Sequence, residues 1–183
     1  MLSKRNTLTG LALCASALTI ATALPMLQEY PVPTEHHEMV LAGAGNWEGT
    51  MTAFMPGSDA EPVAAKDTVE GIGPFWVQST FECEFMGMPY TGTGCLGYDS
   101  SKEKYVGTWV DSMSTHLAIM EGEYDEASDT LVMTWKAPGM TGEMETHRSE
   151  TVRSENAYTM TFYMGEGDAA VKSMVIDMQR KGA

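Results

Sequence analysis

Apolar and polar residues alternate with a period of two along much of the chain after Asn46. Phe75, Val77, Phe81, Cys83 and Phe85 share one parity, and Gln78, Thr80, Glu82 and Glu84 take the other. The rhythm returns over residues 105–110, 130–135, 158–164 and 173–178. Successive side chains of a strand point to opposite faces, so this pattern predicts half-buried strands. No stretch of the same region keeps a helical period for three turns. Turn formers punctuate the runs at short intervals: Pro56-Gly57-Ser58-Asp59, Gly87-Met88-Pro89, Asp99-Ser100-Ser101-Lys102, Asp111-Ser112-Met113-Ser114, Asp125-Glu126-Ala127-Ser128 and Gly165-Glu166-Gly167-Asp168. Two hairpins look alike, one running from Tyr98-Asp99 to Tyr105-Val106 and one from Tyr124-Asp125 to Leu131-Val132. The expectation is an all-β, antiparallel fold of about ten strands. Such a sheet, with no helices to cover it, hides its edges and apolar face by closing on itself, so a barrel is expected.

Upstream, residues 35–41 predict a short helix, with Thr34 as N-cap, acids in its first turns and Gly43 and Gly45 ending it. Residues 24–34 carry Pro25, Pro31 and Pro33 and read as an extended tether. The first 23 residues have the make-up of a secretory signal. Lys4 and Arg5 precede an uncharged run from Leu8 to Ala23, and Ala21-Thr22-Ala23 offers a cleavage site. The run is short for a spanning helix. The sequence therefore predicts a signal peptide over 1–23, a tether over 24–34 and a barrel domain over 35–183. The product would be exported, periplasmic or secreted, without stable membrane insertion once the leader is cut.

Charge narrows the partners. The formal net charge of the 183-residue chain is −14, or −16 for a chain that begins at Leu24. A surface this acidic, with no basic stripe, disfavours nucleic acid. Cleavage would leave Cys83 and Cys95. If they sit on partner strands of a hairpin turning near Gly87, Cys83 faces Tyr90 or Thr91 and Cys95 lies about 13 Å further along, beyond disulfide reach. Two free, mostly buried thiols are expected.

The stretch from Leu41 to Gly49 contains Gly45-Asn46-Trp47, a Gly-x-Trp lead into the first strand like that of lipocalin-like barrels. Residues 86–92 then lead into Leu96-Gly97-Tyr98-Asp99, followed by residues 105–114 and Glu121-Gly122-Glu123-Tyr124-Asp125. In this order and spacing the chain resembles the bacterial domain of unknown function 1579 family over about residues 35–181. The resemblance implies a lipocalin-like β-barrel and no assigned activity.

Several groups are candidates for chemistry. Asp111 and His116 flank a turn and would face each other in a simple hairpin, followed on that face by Trp109 with Ala118 and Gly107 with Met120. With Ser112 or Ser114 nearby, the pair has the residue types of acyl transfer. The competing reading is a turn in which Asp111 caps backbone N–H groups, and the lack of a Gly-x-Ser-x-Gly elbow favours it. His36, His37, Glu38 and Met39 form a possible metal cluster. Adjacent helical residues point about 100° apart, however, so a solvated helix start is expected and no metal site. The 16 methionines contain soft ligands for copper. Those within strands, Met51, Met120, Met133, Met160, Met174 and Met178, read as flexible packing instead. Trp47, Phe81, Trp109, Trp135, Tyr158 and Phe162 are the aromatics available to line an interior. The sequence calls for no cofactor. The leading functional expectation is binding of a small, largely apolar molecule by Trp47, Phe81, Trp109, His116 and Met120. A hydrolase built on Asp111 and His116 and an envelope interaction module are the alternatives.

Overall fold

A computed structural model describes residues 30–57, 59–139 and 141–182. The expected leader, most of the tether and Met140 lie outside the described residues. The folded unit begins at Val32. Among the described residues it comprises one α-helix, α1 (Glu35–Leu41), and ten strands. These are β1 (Gly45–Ala53), β2 (Pro62–Ile72), β3 (Trp76–Phe85), β4 (Met88–Asp99), β5 (Lys104–Asp111), β6 (Ala118–Asp125), β7 (Thr130–Pro138), β8 (Met144–Arg153), β9 (Ala157–Met164) and β10 (Val171–Arg180). Each strand pairs antiparallel with the next, and β1 pairs with β10, so the sheet closes into a barrel. The all-β barrel of ten strands with a short N-terminal helix is thus the observed architecture. Among the described residues no helix is long and apolar enough to cross a membrane.

The registers follow from the turns. Asp99 accepts bonds from the Ser101 and Lys102 N–H groups, and Asp125 from the Ala127 N–H and the Ser128 hydroxyl. Each of these two hairpins also has a left-handed residue before its second strand, Glu103 at φ 53° and Asp129 at φ 53°. The resemblance seen in the sequence is therefore one turn design used twice. Between β3 and β4, Cys83 pairs with Tyr90 and Cys95 with Gln78. Both cysteines are free, and both are half-buried rather than mostly buried. Cys83 lies 3.8 Å from Met51 Sδ, and burial raises its thiol pKa.

Helix α1 lies across one end of the barrel and packs on β3 and β4. The expectation of a solvated helix start needs correcting here. His37 is only 3% exposed; its Nδ1 accepts from the Thr34 N–H (3.0 Å) and lies 2.9 Å from the Thr34 hydroxyl. His36 stacks on Tyr98 and shares a hydrogen bond with the Tyr105 hydroxyl (3.0 Å), while His37 meets Phe75 edge-on. Both rings dock the helix, because this face of α1 is the plug of the barrel rather than its exterior. The link into β1 is pinned as well. Trp47 Nε1–H donates to the Gly43 carbonyl (3.0 Å), and Arg180 donates to the Ala42 and Ala44 carbonyls.

Candidate functional site in the barrel interior

Inward residues come mainly from one parity of each strand, joined by Cys95 and Thr108 on β4 and β5, and they surround a cavity of about 300 Å³. Its wall is mostly apolar. Phe81, Phe85, Trp109, Trp135 and Phe162 supply rings, and Met51, Met120, Met133, Met160 and Met174 supply thioethers. Val40 and Gly43 reach it from α1 and the residues after it, so the helix forms the floor. The opposite end carries strand connections and, among the described residues, one 3-10 turn (Gly167–Ala169). Met86, Met88, Met113, Leu117, Met144 and Val171 are exposed around that end. This end is the mouth of the barrel.

Local sequence explains why the rings fit. Trp109 on β5 lies against Gly92 and Gly94 of the neighbouring strand. A Cβ on Gly92 would stand 2.3 Å from Trp109 Cζ2, and one on Gly94 1.9 Å from the Thr108 carbonyl oxygen. The glycines thus clear a place for the indole, whose N–H donates to the Tyr90 hydroxyl (3.2 Å). Burial, the largest cause, pushes the Tyr90 pKa up to about 12, so this hydroxyl stays neutral.

Polar groups gather near the floor. Asp67 on β2 is 8% exposed, and its two oxygens accept from the Ser79 hydroxyl (2.6 Å) and the Tyr158 hydroxyl (2.9 Å). Burial raises the Asp67 pKa, and the hydroxyl bonds and the charge of Arg153 only partly offset it. Burial first, and Asp67 second, push the Tyr158 pKa upward. Arg153 at the end of β8 borders the cavity and donates from Nη1 to the Met39 carbonyl (3.2 Å).

The raised Asp67 pKa has a sign for stability. A carboxyl that holds its proton more tightly folded than unfolded stabilises the fold below its unfolded pKa, and this contribution is lost as pH rises through the folded value. Relative to Asp67→Asn, which cannot titrate, the wild-type protein is expected to lose stability as pH climbs from below 4 towards neutrality. Urea unfolding of both proteins across that range checks it; a wild-type stability that rises relative to Asp67→Asn as pH climbs would contradict it.

The structure divides the residues singled out from sequence. Phe81, Trp109 and Met120 line the cavity, as do Trp135, Tyr158 and Phe162. Trp47 does not: it is 1% exposed and lies in the packed core with Met178 and Ile176. His116 is at the mouth outside the lining, and its Nε2–H donates to the Lys136 carbonyl (3.0 Å). The β5–β6 ladder has the expected register, Trp109 opposite Ala118 and Gly107 opposite Met120. Asp111, by contrast, spends its carboxylate on the Met113 N–H (2.8 Å) rather than on His116. Ser112 Oγ accepts from the Thr91 N–H and Ser114 Oγ from the His116 N–H. Local backbone donors therefore hold these groups, and the structure does not assemble them as a relay. Asp67, Ser79, Tyr90 and Arg153 were not singled out by sequence. Asp67 and Arg153 sit where alternation places an inward residue, and an ionisable group at such a position was the available signal.

Comparison with known proteins agrees with this architecture. The family model described as protein of unknown function DUF1579 matches residues 32–180. The chain belongs to the DUF1579 family. This DUF1579 barrel is similar to Rv2717c from M. tuberculosis, with a TM-score of 0.62 at 12% identity, covering 82% of this chain and 99% of that one. It is also similar to the S-type phycobiliprotein lyase CPES from Guillardia theta, with a TM-score of 0.57 at 10% identity, covering 80% and 92%. At such identities the likeness is one of fold. No curated protein matches the DUF1579 chain.

Proposed function

We propose that the protein is an exported binding module that holds a small, largely apolar molecule inside its barrel. The observation that carries the reading is the cavity of about 300 Å³, walled by aromatic rings and thioethers. Apolar walls with a few convergent polar groups are the usual make-up of a small-molecule site. Affinity would come from apolar area removed from water, and flexible methionines let the wall adjust to the guest. Orientation would come from the polar groups at the floor. Export rests on the composition of residues 1–23. The fold shared with a phycobiliprotein lyase is compatible with a guest molecule. A hydrolase using Asp111 and His116 has no support in the turn geometry, where different partners hold the two groups.

Native mass spectrometry of protein gently purified from its own host tests both parts. The expected spectrum shows a chain beginning at Leu24 with a non-covalent small-molecule adduct. Ala118 lines the cavity next to Trp109, so Ala118→Trp should abolish the adduct while the circular dichroism spectrum stays that of a β-barrel. An adduct-free wild-type spectrum, together with no uptake of the neutral probe N-phenyl-1-naphthylamine, would refute the binding reading. A mass that includes residues 1–23 would refute cleavage.

A further inference from the structure

Strand β8 presents a polar stripe to a mostly apolar interior. Its inward positions are His147, Ser149, Thr151 and Arg153, and the last three line the cavity. Among the described residues Arg153 is the cationic side chain on that lining. Its Nη1 serves the Met39 carbonyl, while its Nε is buried with no hydrogen-bond partner among the described residues. The neighbouring Asp67 accepts from the Ser79 and Tyr158 hydroxyls and acts on Arg153 through its charge, and no direct ion pair joins the two among the described residues. A buried charged donor without an acceptor is costly, and native proteins keep few of them.

We infer that the cavity takes an organic anion with a compact apolar tail, its carboxylate seated on Arg153. The inference rests on the binding reading and names the class of guest. A guanidinium keeps its charge when buried, and its planar fork of donors matches a carboxylate. The low dielectric of the interior strengthens such a pair relative to water. An alcohol supplies an acceptor but no negative charge, and an ammonium is repelled. The carboxylate sits at the floor, and the tail runs up the apolar wall towards the mouth.

Isothermal titration of the purified protein with octanoate, 1-octanol and octylammonium, three probes with one tail, tests this. Octanoate should bind about tenfold or more tightly than 1-octanol, the ratio expected of one charge-assisted hydrogen bond, and octylammonium weakest. Arg153→Gln should bring the octanoate-to-octanol ratio to about one, and Arg153→Lys should retain part of the preference. If Arg153→Gln fails to fold, the wild-type ratio and Arg153→Lys still decide. Equal wild-type affinities for octanoate and 1-octanol overturn the inference and leave the cavity reading standing. Tighter binding of octylammonium overturns it in favour of Asp67 as the anchor. Binding of none of the three overturns both.

Discussion

Trp47→Ala is expected to cost about 3–5 kcal/mol of folding stability, the usual range for deleting a buried indole. The residue joins three parts of the molecule. It is 1% exposed and packs with Met51, Phe81 and Met178. The Tyr158 ring meets it edge-on at 5.0 Å, and the Arg180 guanidinium lies 4.2 Å over its ring. Its N–H holds the Gly43 carbonyl in the link between α1 and β1. Removing it opens a void in the core and frees the end of the plug in the same step. Trp47→Phe keeps most of the buried area but leaves that carbonyl unpaired, so about 1–3 kcal/mol should be lost. Urea titration followed by far-ultraviolet circular dichroism measures both. A loss below about 1 kcal/mol for Trp47→Ala would show that the core closes over the gap, against the range this argument uses.

Gly92→Ala is expected to destabilise the barrel by about 1–3 kcal/mol through overpacking, and to lose most of that effect once Trp109 is also Ala. The close atoms met by a Cβ at Gly92 all belong to the Trp109 indole, at 2.3, 2.7 and 3.0 Å. Deleting the indole therefore deletes the clash. At Gly94 the nearest atom is a backbone oxygen, Thr108 O at 1.9 Å. Gly94→Ala should accordingly stay destabilising whether or not Trp109 is present. A double-mutant cycle at each glycine, read by urea unfolding, separates the two cases. Similar coupling at both positions would contradict the assigned contacts.

The barrel was legible in the sequence because most strands carry an apolar inward face against a polar outward one. β3, β5, β7, β9 and β10 announce themselves in this way. β8 does not, since its inward residues are His147, Ser149, Thr151 and Arg153, and its period of two joins polar to polar. β2 is weakened for the same reason by Asp67 at an inward position. The strands that were hardest to read are thus those that bring polarity into the cavity, and this is why the floor of the site escaped notice. Aromatic content found most of the wall, but it could not separate Trp47 from Trp109. One points into packed core and the other into open volume, a difference set by neighbours on other strands. For His36 and His37 the 100° between adjacent helical positions argued against a shared metal but said nothing about burial, and a plug helix turns even polar side chains inward. Asp111 and His116 were correctly placed at a turn, yet a turn rich in backbone donors satisfies such side chains locally.

The pairing of β1 with β10 governs how the barrel closes. The seam joins residues near the two extremes of the folded unit, so closing it brings together the most distant partners in the sheet. Topologies dominated by such distant partners fold slowly. A nascent chain lacking its final strand would have an unzipped, adhesive border and no finished interior, so it would pass from thread to vessel only after its C-terminal strand became available.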